Sequence, residues 1–259
     1  MIPIAMPTSN RPHYLRRVLD HLKAQNPSPD EWMIVAQNEP SRGVDAILET
    51  VDWLPLESIT NKRRLGMAHN VCTCIDRAAA LNDWFMVLED DFLIGGDSLK
   101  LAKWSAQYIT PRNDLAWFSL YSRDQEQCKV IEREALRTNG WFCCRVWGGK
   151  SAVWQRFRES FDCRIMPRNS WACPFNLWLH EQRLGGIHPT FSRVQYIGLC
   201  GVHGRWAYEE ARVSRWLEEP CEVLPYQVEH SEMDFSLNEE LRFVQGMYGR
   251  TFTARNQPA

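Results

Sequence analysis

Apolar and polar positions in the first part of the chain alternate between two patterns. Short apolar runs of the kind found in buried strands are separated by stretches in which apolar residues recur at helical spacing, as at Leu15, Val18 and Leu22. This alternation of strand and helix predicts an α/β fold, with a mostly parallel sheet covered by helices. The predicted strands lie at 2–6, 32–36, 56–60, 84–88 and 115–121.

The pattern changes after residue 121. Residues 139–215 are rich in Trp, Arg and Gly, and their predicted elements are shorter. Signals for an interdomain linker are weak. We therefore predict a single domain over 1–259, with a first half at 1–121 and a second half at 122–259 that forms a lobe on the same sheet.

Composition narrows the class of protein. Of the 259 residues, 44% are hydrophobic and 24% are charged, which is typical of a globular chain. No apolar run approaches the roughly 20 residues that cross a bilayer, and the first residues lack the basic region of a signal peptide. Nine cysteines without metal-finger spacing indicate reduced thiols, so we expect a cytoplasmic protein. The net charge of −2 gives no global sign of a polyelectrolyte partner.

An acidic triplet, Glu89, Asp90 and Asp91, directly follows the predicted strand at 84–88. In open α/β sheets, ligands bind beyond the carboxyl ends of the strands. Clustered carboxylates raise one another's pKa unless a cation compensates them, and a hard divalent ion does so through oxygen ligands. Such an ion keeps open coordination positions for substrate phosphates, so the triplet is a candidate metal site. The alternative interpretation of the triplet is a solvated acidic loop after the strand.

Basic and amide groups follow other predicted elements. Arg63 and Arg64 precede the predicted helix at 66–81, whose N-terminus would bind a phosphate with help from an arginine. Asn38 ends the second predicted strand and is a candidate for contact with a base or a ribose. A solvated basic turn is the alternative for the two arginines.

These segments together resemble a nucleotide-sugar-dependent glycosyltransferase of the GT-A fold. The matching segments are 2–6 with Arg11, 34–38, 64–70 and 84–91. The resemblance implies a Rossmann-like sheet, a UDP-sugar donor, and Mn²⁺ or Mg²⁺ held by Asp91 of the acidic DXD motif. It assigns nucleotide-sugar contacts to Pro7, Thr8, Arg11, Asn38, Arg63, Arg64, Asn70, Glu89 and Asp90.

The closing segments 181–183, 189–193 and 198–204 are similar to the N-acetylglucosaminyltransferase I family. In inverting members of that family, an aspartate that precedes the helix carrying the Glu-Gln-Arg-like run deprotonates the acceptor. The matching stretch, 173–178, has no carboxylate, and Asn176 cannot act as a base. Either the enzyme retains configuration or the base comes from elsewhere. The candidate catalytic residues are Asp162, His180 and Glu181.

Further candidates come from the second half of the chain. His203 lies between glycines, and the resemblance makes it a possible second metal ligand; a polar surface histidine is the alternative. Trp147 offers a stacking surface, and Gly148 and Gly149 would let the backbone approach a ligand. Core packing and a plain turn are the corresponding alternatives.

The expected function is a metal-dependent glycosyltransferase that moves a hexose or N-acetylhexosamine from a nucleotide diphosphate sugar to a hydroxyl acceptor. The first half would bind the donor and the second half the acceptor. One alternative is a DNA glycosyltransferase acting on hydroxymethylated bases. Others are a nucleotidyltransferase, although the loop after the first strand lacks glycine, and a non-catalytic sugar- or nucleotide-binding protein. The sugar, the acceptor and the oligomeric state stay open.

Overall fold

The chain folds into alternating strands and helices. The structure, a computed structural model, describes residues 2–29, 31–122, 135–161, 171–198 and 226–237, together with Arg242 and Gln245. The helices are α1 (Pro12–Ala24), α2 (Arg42–Leu48), α3 (Met67–Ala79), α4 (Ser98–Ile109), α5 (Ser151–Ser160) and α6 (Ala172–Glu181). The strands are β1 (Ile4–Thr8), β2 (Met33–Gln37), β3 (Leu56–Thr60), β4 (Trp84–Val87), β5 (Phe92–Ile94), β6 (Leu115–Ser119), β7 (Leu136–Asn139), β8 (Trp147–Lys150), β9 (Gly185–Pro189), β10 (Val194–Tyr196) and β11 (Val228–Glu229).

Nine of these strands form one sheet in the order β11-β7-β9-β6-β8-β4-β1-β2-β3. Strands β1 to β4 are parallel to one another, and β6 and β9 run in the same direction. The carboxyl ends of these six strands therefore meet at one edge of the sheet, which we call the carboxyl edge; the opposite edge is the amino edge. The predicted α/β fold with a mostly parallel sheet is confirmed.

Antiparallel strands are the part of the topology that the sequence pattern does not predict. Strand β8 lies between β4 and β6 and runs against both. Strand β7 is antiparallel to β9, and β5 pairs with β10 in a separate two-stranded ribbon. The sheet is thus parallel at the β1–β4 end and mixed beyond it.

Buried side chains cover both faces of the sheet. In β1, Ile4 and Met6 pack on the face that carries α1 and α2, whereas Ala5 packs on the face that carries α3. Every residue of β1 and of β2 is buried, as expected for strands covered by helices on both sides. Of the helices in the described part of the chain, none combines the length and the apolar character needed to span a bilayer.

Candidate active site at the carboxyl edge

The acidic triplet lies where β4 ends at the carboxyl edge. The amide of Leu88 donates to the carbonyl of Ala5 at 2.9 Å, which continues the pairing of β4 with β1 as far as the triplet. Asp90 is fully buried and Asp91 is 5% exposed. The β1–α1 loop lies against both aspartates, because strands that are parallel neighbours end side by side.

Asp90 uses both carboxylate oxygens to hold the β1–α1 loop. Its Oδ2 accepts from the Thr8 hydroxyl at 2.6 Å and from the Ser9 amide at 3.2 Å. Its Oδ1 accepts a short hydrogen bond from the Arg11 guanidinium. Both carboxylate oxygens of Asp90 are therefore engaged, and Asp90 fixes the position of Thr8 and Arg11.

Asp91 uses only one of its carboxylate oxygens. Its Oδ2 accepts from Nη1 of Arg11 at 2.5 Å. Its Oδ1 is buried and has no hydrogen-bond partner among the described residues. A buried carboxylate oxygen without a partner carries an uncompensated desolvation cost, so this atom marks where a cationic ligand would be stabilised.

Burial and mutual repulsion oppose ionisation of the three carboxyl groups of the triplet. Burial raises the pKa of Glu89, and the charges of Asp91 and Asp90 raise it further. Burial likewise raises the pKa of Asp90 and of Asp91, although Arg11 opposes the change. Burial alone would lower the pKa of Arg11, but the two aspartates raise it above its usual value. Arg11 and Arg145 thus offset only part of the effect of burial and of the repulsion among the three acids.

Two asparagines connect the strand ends with the start of α3. Asn38 Oδ1 accepts from the amides of Leu65 and Gly66, both at 3.1 Å. Asn70 donates through Nδ2 to the carbonyls of Thr8 at 3.1 Å and Ala36 at 2.7 Å. These amides hold β1, β2 and the first turn of α3 in one frame beside the acidic triplet.

The N-terminus of α3 faces the carboxyl edge from this frame. Gly66 occupies the N-cap position with φ of 96°, a left-handed value that a side chain disfavours. Arg63 and Arg64, just before it, are exposed and have no ion-pair partner in the described part of the chain. The two guanidinium groups and the helix N-terminus together place positive charge at the start of α3. Pro7 is buried inside β1, where it lies beside Ala36 of β2.

Trp147, Gly148 and Gly149 are buried, although Trp147 pairs with Val87 at the end of β4. They form part of β8, and Trp147 is fully buried, with ring centroids 4.7 Å from Phe142 and 5.2 Å from Phe85. A Cβ at position 148 would lie 2.3 Å from Cζ of Phe118. Gly148 therefore makes room for a neighbouring ring, and the predicted approach of a ligand stays a prediction.

His180 and Glu181 lie at the C-terminal end of α6, far from the acidic triplet. The chain enters β9 at Gly185, and the amide of Gly185 donates to the carbonyl of Asp114, just before β6. Both strands begin at the amino edge, so the structure does not bring these two residues to the carboxyl edge. Asp162 and His203 lie outside the described residues.

His180 is instead enclosed by aromatic rings, with centroids 5.8 Å from Trp141 and 5.6 Å from Phe235. Burial lowers its pKa, against the opposing effect of nearby backbone carbonyls and of Asp234. The unfolded chain therefore binds this proton more readily, and the free energy of unfolding should fall as the pH drops below the ordinary histidine pKa of about 6.5. Urea unfolding between pH 7.5 and 5.5 would measure this slope.

The matched variants for this prediction are His180→Phe and His13→Gln. The first removes the buried titrating ring and should flatten the acid side of the profile. The second changes an exposed histidine on α1 and should leave the profile as in the wild type. An unchanged slope in His180→Phe would contradict the prediction.

Arg145 is a site residue that the sequence does not single out. Its charge lowers the pKa of Glu89, which places it near the triplet on the side of β8. Its guanidinium lies 4.5 Å from the ring centroid of Tyr121. Val146, the next residue, has φ of 37°, a strained value for a β-branched residue. Finding Arg145 from the sequence would have required the position of β8. This strand starts next to the end of β4, so the residues just before it lie close to the triplet.

Comparison with solved structures gives matches at low sequence identity. TarS 1–349 of S. aureus in complex with UDP-GlcNAc has a TM-score of 0.52 and 12% identity, covering 80% of this chain and 63% of that chain. The S. aureus TarS structure has a TM-score of 0.53 and 12% identity, with 74% and 35% covered. The mannosyltransferase PcManGT from Pyrobaculum calidifontis, in complex with GDP-Man and Mn²⁺, has a TM-score of 0.47 and 18% identity, with 60% and 46% covered.

The two TarS likenesses show the fold, which is GT-A-like. The chain spans less than two thirds of the length of each of the three structures. No curated protein matches the chain significantly. The sequence profile of Glycosyl transferase family 2 matches residues 4–138, more than half of the chain and the part that carries the acidic triplet. The chain belongs to glycosyl transferase family 2.

Proposed function

We propose that the protein transfers a sugar from a nucleotide diphosphate sugar to a hydroxyl acceptor, with a divalent cation at Asp91. The observation that carries this proposal is the buried Oδ1 of Asp91, which has no partner among the described residues. It lies at the carboxyl edge, where open α/β sheets bind their ligands. Membership of glycosyl transferase family 2 supports the reaction class.

A hard divalent ion fits this site. A carboxylate oxygen is a preferred ligand of Mn²⁺ and Mg²⁺. Within the described ranges, no three His, Cys, Asp or Glu side chains are arranged to hold a metal, so the donor diphosphate would supply further ligands. When bound, the ion would neutralise the charge that develops on the departing diphosphate. The predicted metal ligand His203 stays a prediction.

The chain's own residues would bind and orient the donor. Arg63, Arg64 and the N-terminus of α3 would bind the diphosphate, since arginine pairs well with phosphate oxygens. Asn38 keeps its Nδ2 for a base or ribose acceptor, because its Oδ1 already accepts two backbone amides. Asp90 would hold Thr8 and Arg11 in place beside the donor.

The finer assignments rest on the resemblance to known transferases. We propose a UDP-sugar donor that carries a hexose or an N-acetylhexosamine, and the UDP-GlcNAc bound to TarS makes that sugar a natural first probe. His180 and Glu181 lie at the amino edge, so Asp162 stays the proposed base if the reaction inverts configuration. The similarity of the closing segment to the N-acetylglucosaminyltransferase I family is also a prediction, as are an acceptor in modified DNA and an acceptor lobe at 122–259.

A donor-hydrolysis panel tests the proposal. The purified chain would be incubated with Mn²⁺ and with UDP-glucose, UDP-galactose, UDP-GlcNAc or GDP-mannose, and the released nucleotide diphosphate would be quantified. We expect release from one donor above the others, and its loss when EDTA removes the metal. If no donor is hydrolysed and neither UDP nor GDP binds in the presence of Mn²⁺, the proposed function is wrong.

A further inference from the structure

The two-stranded ribbon β5–β10 begins immediately after the acidic triplet. Tyr196 of β10 pairs with Phe92 of β5 in an antiparallel register. One step further along, the amide of Ile197 donates to the carbonyl of Asp91 at 2.8 Å. The backbone of Asp91 is therefore held from two sides, by β4 before it and by β10 across from it.

A buried ion pair anchors the other end of the ribbon. Arg193 donates through Nε to Oδ1 of Asp97 at 2.8 Å, and their side chains are 1% and 4% exposed. The amide of Gly95 donates to the carbonyl of Arg193 at 2.8 Å. The hydroxyl of Tyr226 donates to the other oxygen of Asp97 at 3.2 Å. With this end fixed, the ribbon cannot slide along its register to accommodate a change near Asp91.

Gly198 brings the end of the ribbon against the carboxylate of Asp91. A Cβ at this position would lie 2.7 Å from Oδ2 of Asp91, 2.5 Å from the hydroxyl oxygen of Tyr196 and 2.6 Å from its Cζ. These separations are shorter than any non-bonded contact of a real Cβ, so a side chain here must displace one of its neighbours. The φ of Gly198 is not in the left-handed region, so space and not backbone conformation requires the glycine.

Neither neighbour is free to move away. The Tyr196 hydroxyl donates to the carbonyl of Gly198 at 3.0 Å, and the Tyr196 ring packs 5.1 Å from the ring of Phe92. Asp91 Oδ2 is held by Arg11 at 2.5 Å. A methyl group at position 198 would therefore turn the carboxylate of Asp91 or force the Tyr196 ring out of its place.

We propose that Gly198 and Tyr196 are positioning residues that orient the carboxylate of Asp91, so that its Oδ1 presents to the divalent cation. This inference rests on the proposed function and deepens it. Neither residue would contact the cation; both act through Asp91. Outer groups that orient a metal ligand typically contribute 10- to 100-fold to metal affinity.

The test uses the full chain as wild type, Gly198→Ala and Gly96→Ala. Gly96 is the matched control, because it lies on the turn after β5 and a Cβ there meets nothing within 4 Å. Mn²⁺ affinity would be measured by water-proton relaxation in the presence of UDP, and stability by thermal melting. We expect Gly198→Ala to bind Mn²⁺ roughly 10- to 100-fold more weakly. Gly96→Ala should bind as the wild type does.

A second variant, Tyr196→Phe, decides the question if Gly198→Ala does not fold. It adds no volume and removes the hydroxyl that holds the carbonyl of Gly198. We expect a smaller loss of Mn²⁺ affinity, on the order of threefold to tenfold and thus below the 10- to 100-fold typical of such groups, with a near wild-type melting temperature. The affinity for UDP without metal should not change in either variant. A general structural defect would lower this affinity as well.

The outcomes separate this inference from the proposed function. A wild type that binds no Mn²⁺ with UDP would remove both. A wild type that binds the ion, with folded Gly198→Ala and Tyr196→Phe variants that bind it within twofold of the wild type, would overturn only the positioning role. A selective loss of Mn²⁺ affinity in these variants, with Gly96→Ala unaffected, supports it.

Discussion

Replacing Asp91 with asparagine should lower metal-dependent donor turnover by about 1,000-fold, the size expected for loss of a key electrostatic group in an active site. Asparagine keeps the shape of the side chain and can still accept from Arg11, so the fold should persist. What it removes is the charged oxygen that has no partner among the described residues. The measurement is release of the nucleotide diphosphate under saturating Mn²⁺, alongside a thermal melt.

The matched control is Asp83→Asn. Asp83 is an exposed acid just before β4, at the amino edge, and its known contact is a backbone carbonyl that accepts from Ser151. Its replacement should leave turnover within twofold of the wild type. If Asp91→Asn retains a tenth or more of the wild-type activity, the carboxylate of Asp91 is not the group that supports the reaction.

Replacing Arg11 with leucine should lower the free energy of unfolding by about 3–5 kcal/mol, the usual cost of removing one partner from a buried ion pair. The change leaves the carboxylates of Asp90 and Asp91 close together without the guanidinium that bridges them. Leucine preserves much of the apolar stem, so lost packing contributes little. Urea unfolding in the presence of EDTA measures the effect.

Arg17→Leu, on the exposed face of α1, serves as the control. Its free energy of unfolding should stay within about 0.5 kcal/mol of that of the wild type. Added Mn²⁺ should restore part of the lost stability in Arg11→Leu. An ion that binds the folded protein and not the unfolded chain stabilises the folded state by mass action. An Arg11→Leu variant within 1 kcal/mol of the wild type in EDTA would contradict the assigned role of the pair.

The sequence predicts the part of the site that depends on strand direction. Once strands and helices alternate, the ends of β1, β2 and β4 must meet, and the structure brings Thr8, Arg11 and Asn38 together with the acidic triplet for that reason. Hydrophobic periodicity is sufficient to predict that these strand ends meet. The prediction does not depend on which side chains are in contact.

The parts that the sequence does not predict depend on direction reversals and on register. Trp147 and its two glycines suggest a ligand contact, whereas β8 runs antiparallel between two parallel strands, which buries these residues and sets Gly148 against Phe118. His180 and Glu181 lie near the end of a helix that returns the chain to the amino edge before β9. The contact of Gly198 with Asp91 follows from the pairing of β10 with β5, which local patterns do not encode.

The bridge made by Asn70 has a consequence for how the protein opens. A single side-chain amide joins the last residues of two neighbouring strands, and its oxygen accepts from Asn61 at 3.1 Å. Separating β1 from β2, or either strand from α3, requires these bonds to break together. The three elements should therefore exchange their amide hydrogens with solvent as one cooperative unit. We therefore expect any opening or closing of the site at the carboxyl edge to arise in elements to which Asn70 is not hydrogen-bonded.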